Sequence, residues 1–259
     1  MVEETPSPAL SPESRQALCE AGVAAAKAAG YLNAGTVEFL LAPDGTFAFL
    51  EMNTRLQVEH PVTEAVTGLD LVRLQLQVAA GEALPLAQED VVARGHALEC
   101  RLYAEDPDRD DLPSPGRILH VSEPEGPGVR VDSALAPGVE VTVHYDPLLA
   151  KVVTWGFDRA EAIERMRDAL QRTVVLGVTT NLTRLRRIVE HPAFATGELH
   201  TGFIEEHLAG AVPARELPPA AVAAVAAALA SEGARGRGGA VRAPDPWGSL
   251  GPWRLGGGS

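Results

Sequence analysis

"TVEFLLAPDGTFAFLEMN", residues 36–53, holds two apolar, β-rich runs around a Pro-Asp-Gly turn, the pattern of an antiparallel hairpin. Each run carries one carboxylate in apolar surroundings, Glu38 and Glu51, where a charge is costly unless it is paired or metal-bound. Register decides whether they meet. A two-residue Asp44-Gly45 turn, or a four-residue Pro43-to-Thr46 loop, sets Glu38 directly opposite Glu51, whereas a three-residue bulged loop offsets them by one. Asn53, two residues beyond Glu51, shares its face while strand geometry lasts. Opposed carboxylates roughly 5 Å apart repel each other unless a cation lies between them. Hard oxygen donors of this kind suit Mg²⁺ or Mn²⁺, and magnesium commonly brings nucleotide phosphates with it. On the hairpin alone, two strand-edge glutamates facing solvent remain the alternative.

The following residues favour the metal. "EMNTRLQVEHPVTE", residues 51–64, places Asn53, Arg55, Gln57, Glu59, His60 and Glu64 in a stretch that holds no helical or strand period for long. His60 before Pro61 reads as a capping or packing histidine ahead of a catalytic one. Glu64 reads as a support for Arg55 or as the start of the next helix, because carboxylates favour helix N-termini.

Outward from this centre, the helical and strand patterns alternate. "SPESRQALCEAGVAAAKAAG" predicts a helix with Ser11 as N-cap, Pro12 in the first turn and Gly30 at its end. The preceding "MVEETPSP" reads as a loop. "PVTEAVTGLDLVRLQLQVAAG" predicts a helical segment interrupted near Gly68 and finished at Gly81. From His96 short strand-like runs follow: "HALECRLYAED", "GRILHVSEP", "GVRVDSAL", "VEVTVHYD" and "LAKVVTWG". "DRAEAIERMRDALQRTVV" is an amphipathic helix with Ile163, Met166 and Leu170 on one face, and "NLTRLRRIVEHPAF" a further helix stopped by Pro192. Beyond about residue 210, Ala, Gly, Pro and Arg dominate, which reads as linker. The expected fold class is α+β.

Composition sets limits. The 259 residues, 46% hydrophobic and 22% charged, suit a soluble globular protein. A net charge of −13 argues against nucleic acid or an anionic membrane as the partner, though a local Arg cluster still serves an anionic ligand. Cys19 and Cys100 have no metal-ligand spacing and read as free buried thiols in a reduced, cytoplasmic setting.

The stretch from Gly35 to Val72 closely resembles the biotin carboxylases, a branch of the ATP-grasp ligases. "RLQVEHPVTE" separates that branch from carbamoyl-phosphate synthetases and D-alanine ligases, which share only the Glu…Glu-x-Asn pattern. "RGHALECRLYAEDP", "LPSPGRI" and "VHYDPLLAKVV" resemble the C-terminal domain of the same family, in the same order. "HPAFATGELHTGFIEEH", the Ala-rich linker and "DPWGSLGPWRL" look most like the biotin-carrying subunit of acyl-CoA carboxylases. The resemblance implies the C-terminal part of an ATP-grasp domain over 1–88, a β-rich biotin carboxylase C-terminal domain over 93–208 and a flexible linker over 209–259.

Carried over position by position, the resemblance implies ATP-dependent carboxylation of biotin by bicarbonate through carboxyphosphate. Glu38, Glu51 and Asn53 match the ligands of the metal ions that bridge ATP phosphates, Glu38 and Glu51 thereby contributing to ATP binding. Arg55 matches the active-site arginine, and Gln57 and the Val58 backbone match the groups that hold bicarbonate. Glu59 matches the base for bicarbonate, and Arg101 the group facing bicarbonate and the biotin oxygen. These residue types suit the chemistry: a guanidinium fork fits a planar oxyanion, and a fixed arginine stabilises charge developing on the ureido oxygen. Tyr145 and Asp146 read as turn or subunit-contact residues, and Lys151 as a lysine that snorkels from a strand or pairs with a carboxylate.

The implied cofactors are ATP, Mg²⁺ or Mn²⁺, and biotin on a separate carrier domain. The implied partners are that carrier, a carboxyltransferase subunit and a second copy joined through the C-terminal domain. Family members also carry a Rossmann-like domain, the rest of the ATP-grasp domain and a glycine-rich phosphate lid ahead of this region, and an "AMKM"-like biotin attachment stretch. The chain matches none of these, so the expectation is a part of the enzyme truncated at both ends and inactive alone. The competing expectation is a non-catalytic assembly module that lacks ATP binding.

Overall fold

A short strand opens the chain. The computed structural model describes residues 1–209, so the linker expected over 209–259 lies outside them from residue 210 on. β1 (Val2–Thr5) is followed by α1 (Pro12–Ala28), β2 (Thr36–Leu41), β3 (Phe47–Asn53), α2 (His60–Thr67) and α3 (Leu71–Ala79). β4 (His96–Tyr103), β5 (Glu105–Asp106), β6 (Leu112–Pro113), β7 (Gly116–Arg117), β8 (His120–Ser122), β9 (Val129–Ser133), β10 (Glu140–Val141) and β11 (Leu148–Gly156) come next. The described region finishes with α4 (Arg159–Arg172), β12 (Val174–Leu176), α5 (Leu182–Glu190), α6 (Pro192–Thr196) and α7 (Phe203–His207).

The principal sheet is antiparallel, in the order β1-β4-β11-β9. Strand alternation gives β4 two different faces. Leu98, Cys100 and Leu102 point into a core with Val152, Ile163, Met166, Leu170, Leu185 and Val189. Ala97 instead joins Val62 and Val66 of α2, beside Trp155. The sheet is thus covered on both sides, by α4 and α5 on one and by α2 on the other. The expected apolar face of α4 is borne out, with Ile163, Met166 and Leu170 each at most 3% exposed. Asp158 caps that helix by accepting from the Glu161 backbone at 2.9 Å.

Local signals set several boundaries as expected. Ser11 caps α1 by accepting from Ser14 N at 3.1 Å. Gly68, at φ +73°, ends α2 in the left-handed conformation that only glycine adopts without steric cost. Asp70 then caps α3 through the Arg73 N–H.

Other boundaries differ from the sequence reading. "MVEETPSP" is no loop at its start: Glu3 and Glu4 sit on an edge strand paired with β4, where distant basic side chains meet their charge. "VEVTVHYD" contributes only the two-residue β10. α5 does stop short of Pro192, at Glu190, but Pro192 also begins α6, a position where its missing N–H is no loss. Cys19 is exposed on α1, while Cys100 is buried and its thiol is pushed up by burial.

The hairpin holds the most instructive correction. Its turn is neither two nor four residues long: Ala42 N–H bonds to Thr46 O at 2.8 Å, leaving Pro43, Asp44 and Gly45 as a three-residue loop with Gly45 at φ +83°. That loop offsets the strands by one, so Leu41 pairs with Phe47 and Phe39 with Phe49. A β-bulge then removes the offset. Leu50 has no partner, and beyond it Glu38 stands opposite Glu51 and Thr36 opposite Asn53.

Candidate active site

The bulge puts the two hairpin carboxylates on one face. Asn53 Nδ2 donates to Glu38 Oε1 at 2.8 Å and to Glu51 Oε1 at 2.9 Å, so one amide spans both. Gln57 Nε2 adds a second donor to Glu38 Oε1 at 2.7 Å. Among the described residues these carboxylates have amide donors and no cationic partner. Two hard anionic donors on one face, held by weak neutral poles, fit a small divalent cation.

The polypeptide then leaves the sheet, and the next residues line a cleft of about 470 Å³ with Glu3, Glu38, Phe39, Arg55, Gln57, Val58, Glu59 and Arg101. Six of the eight sequence-predicted site residues share its wall. Glu51 and Asn53 do not line it and are tied to it through Glu38. Arg55 is exposed and forms no ion pair among the described residues; its contacts are long ones, to Asn53 Oδ1 at 3.5 Å and Leu56 O at 3.4 Å. Its charge is therefore available to an anion. Arg101 is held instead, its NH2 reaching Glu59 Oε2 at 2.7 Å and Glu3 Oε1 at 3.0 Å.

The loop carrying Gln57, Val58 and Glu59 is fixed from below. Lys151 on β11 donates to Val58 O at 3.2 Å and pairs with Asp132 at 3.3 Å. Arg130 chelates Asp132 and reaches Glu64 on α2 at 2.7 Å. His60 Nδ1 lies 2.7 Å from Gln57 O at the start of α2, a packing role rather than a place in the cleft. Glu64 accepts from Leu71 N–H at 2.7 Å, so it does serve the next helix, but its ionic partner is Arg130 and not Arg55. Asp146 orders its turn through Leu148 N–H, and Tyr145 is 84% exposed.

Three residues near the cleft were not singled out from sequence: Glu3, Phe39 and Glu99. Glu3 was hidden by a segment that reads as loop. Glu99 alternates with apolar residues in β4, yet it is 0% exposed because α2 folds back over that face. Burial drives its carboxyl up to about 7, against the pull of Lys151 and Arg101 and helped by Glu3 and Glu59.

Two family models divide the chain between them. The biotin carboxylase C-terminal domain matches residues 99–206, and the carbamoyl-phosphate synthase L chain ATP binding domain matches residues 1–87. The chain is thus matched by the biotin carboxylase C-terminal and ATP-binding domains, and its homologues are biotin carboxylases and alpha subunits of acyl-CoA carboxylases. The biotin carboxylase of Nostoc sp. is 50% identical over 206 residues, covering 80% of this chain and 46% of that protein. The mitochondrial methylcrotonoyl-CoA carboxylase subunit alpha of Dictyostelium discoideum is 44% identical over 257 residues, 98% of this chain and 37% of the relative. The biotin carboxylase domain of Hydrogenobacter thermophilus 2-oxoglutarate carboxylase, solved as a dimer with MgADP, ADP and bicarbonate, superposes with a TM-score of 0.78 at 44% identity. That match covers 80% of this chain and 46% of the other. The chain thus spans less than half the length of these relatives.

Proposed function

We propose that this chain provides the metal-, bicarbonate- and biotin-facing part of an ATP-dependent biotin carboxylase belonging to an acyl-CoA carboxylase. The observation that carries this reading is the continuity of the bridged Glu38–Asn53–Glu51 cluster with the cleft of Arg55, Gln57, Glu59 and Arg101. A phosphoryl donor and a small oxyanion then meet on adjoining walls. Residues 1–88 serve as the C-terminal part of an ATP-grasp domain, 93–208 as the carboxylase C-terminal domain and a dimer contact, and 209–259 as a linker. The acyl-CoA assignment is supported by the methylcrotonoyl-CoA carboxylase relative, which aligns along 98% of this chain.

Glu38, Glu51 and Asn53 would hold Mg²⁺ or Mn²⁺. The metal supplies charge neutralisation on ATP phosphate oxygens. Arg55 and Gln57 orient bicarbonate, the exposed guanidinium offering a planar fork to a planar anion. Glu59 accepts the bicarbonate proton, which leaves an oxygen able to attack the γ-phosphorus of ATP, with ADP departing and carboxyphosphate formed. Arg101 would face the ureido oxygen of a carrier-borne biotin, where its fixed positive charge would offset negative charge. In the present geometry Arg101 is occupied by Glu59 and Glu3, so ligand entry requires it to exchange partners.

A chimera tests this reading: residues 1–208 replace the matching part of the Nostoc biotin carboxylase. Phosphate release dependent on both bicarbonate and biotin is expected, with Arg55→Ala lowering kcat by about 100-fold. A folded chimera without turnover, or one indifferent to Arg55→Ala, contradicts the proposal.

A further inference from the structure

Glu99 has an unusual position for a carboxylate. Among the described residues it is wholly buried, and neither carboxylate oxygen has a hydrogen-bond partner. Buried polar groups in native proteins are nearly always satisfied, so an orphaned acid requires a reason. A third orphan lies beside it: Arg101 Nε is buried and unpartnered, 3.8 Å from Glu99 Oε1. That gap exceeds hydrogen-bond length by about 1 Å. The Nη2 of the same guanidinium is engaged by Glu59 at 2.7 Å and Glu3 at 3.0 Å, and Tyr103 on the same strand also bonds the Arg101 side chain.

The guanidinium therefore has two competing sets of partners. Drawing it back along β4 closes the Nε contact and satisfies an orphan on each side, at the expense of the contact to Glu59. Leaving it forward keeps Glu59 and Glu3 and strands Glu99. The charge on Glu99 decides between them, because an ionised carboxylate attracts the Nε–H far more strongly than a neutral one.

We propose that Glu99 is a positioning residue for this cleft: its charged form draws Arg101 Nε–H into a hydrogen bond and loosens the Arg101–Glu59 pair, and its neutral form leaves that pair closed. The coupling matters for catalysis through the reading given above, in which Arg101 and Glu59 serve biotin and bicarbonate. Releasing Glu59 frees the proposed base, and the proton that Glu99 gives up passes to solvent. The surroundings make both states accessible. Glu3 stands opposite Glu99 on β1, Arg101 follows on the same strand, and Lys151 lies on β11, with Glu59 ahead of α2. The titratable groups of α2 are engaged elsewhere, His60 at Gln57 O and Glu64 at Arg130 and Leu71 N. Desolvation leads the balance and sets the Glu99 carboxyl at about 7, so both charge states are populated near neutrality.

The experiment is a pH titration of the arginine Nε–H signals in the 259-residue chain by proton–nitrogen correlation NMR, with no ligand added. Arg101 is assigned by the signal lost in Arg101→Lys. In the wild type this signal is expected to move downfield with a midpoint near 7, and in Glu99→Gln to stay still. A wild-type Arg101 signal that does not titrate overturns the proposal, as does an identical titration in Glu99→Gln. Should Glu99→Gln fail to fold, the wild-type titration and a shifted midpoint in Glu99→Asp decide the matter. Because no nucleotide, bicarbonate or biotin is present, this outcome is separate from the fate of the chimera.

Discussion

The sheet with α4 and α5 differs from the hairpin with α1 and α3 in how much of its own surface it closes. Leu98, Cys100, Met166 and Leu185 are 0% exposed, whereas α1 and α3 bury no residue and the hairpin leaves Leu40, Phe49 and Leu50 at 55%, 58% and 50%. The first region is a finished core. The second holds most of the proposed site residues and is tied to the first through α2, β1 and side-chain pairs: Arg101–Glu59, Lys151 to Val58 O and Arg130–Glu64. The difference teaches that the cleft is positioned by polar contacts to a sheet that closes its own core, whereas the hairpin leaves apolar side chains exposed.

Substitutions of similar size should separate the regions most sharply. Met166→Ala empties a fully buried site and is expected to cost about 4 kcal/mol of unfolding free energy in denaturant titration. Phe49→Ser, at a hairpin side chain that is 58% exposed, is expected to cost less than about 1 kcal/mol. Equal losses would erase the contrast.

The ties between β1 and the rest come next. Glu4 bonds His96 Nε2 and Arg159 Nε, each at 2.7 Å, while Arg159 also donates to Phe194 O and Ala195 O. Burial opposes ionisation of Glu4, but His96 and Arg159 prevail and hold its carboxyl below the ordinary value of 4.5. Its stabilisation is therefore present above that value and fades as pH falls through the lowered one. Glu4→Ala is expected to cost about 3 kcal/mol at pH 7, with the difference shrinking in acid. A difference that stays constant with pH would remove the ionic tie.

Glu99 gives the opposite slope. Unfolded, its carboxyl ionises near 4.5; folded, it keeps the proton up to about 7. The native state then binds more protons between those values, so stability falls as pH rises across that window. The expected loss is about 3 kcal/mol, flattened in Glu99→Gln, as read by melts at successive pH values.

What was legible followed from local pattern. The hairpin, the Ser11 cap, the Gly68 break and the Ile163–Met166–Leu170 face each depend on residues a few positions apart, as does the run from Glu51 to Glu59. The illegible parts depend on distant partners. β1 reads as loop because its glutamates find their partners at His96, Arg101 and Arg159, far along the chain. Glu99 is passed over because nothing in β4 announces that α2 will cover it. The hairpin shows both at once: Glu38 and Glu51 meet as expected, but through a three-residue turn corrected by a bulge at Leu50.

The most direct measurement is phosphate release dependent on both bicarbonate and biotin, made on residues 1–259 alone and after adding the N-terminal part of the Nostoc relative as a separate chain. The account assigns this chain the metal, bicarbonate and biotin side of the site and leaves most of the nucleotide cradle to the added part, since positioning carries nearly all of phosphoryl-transfer catalysis. It predicts no turnover from the chain alone, turnover from the mixture, and loss of that turnover with Arg55→Ala. Clear activity from residues 1–259 alone, abolished by Arg55→Ala, would contradict it.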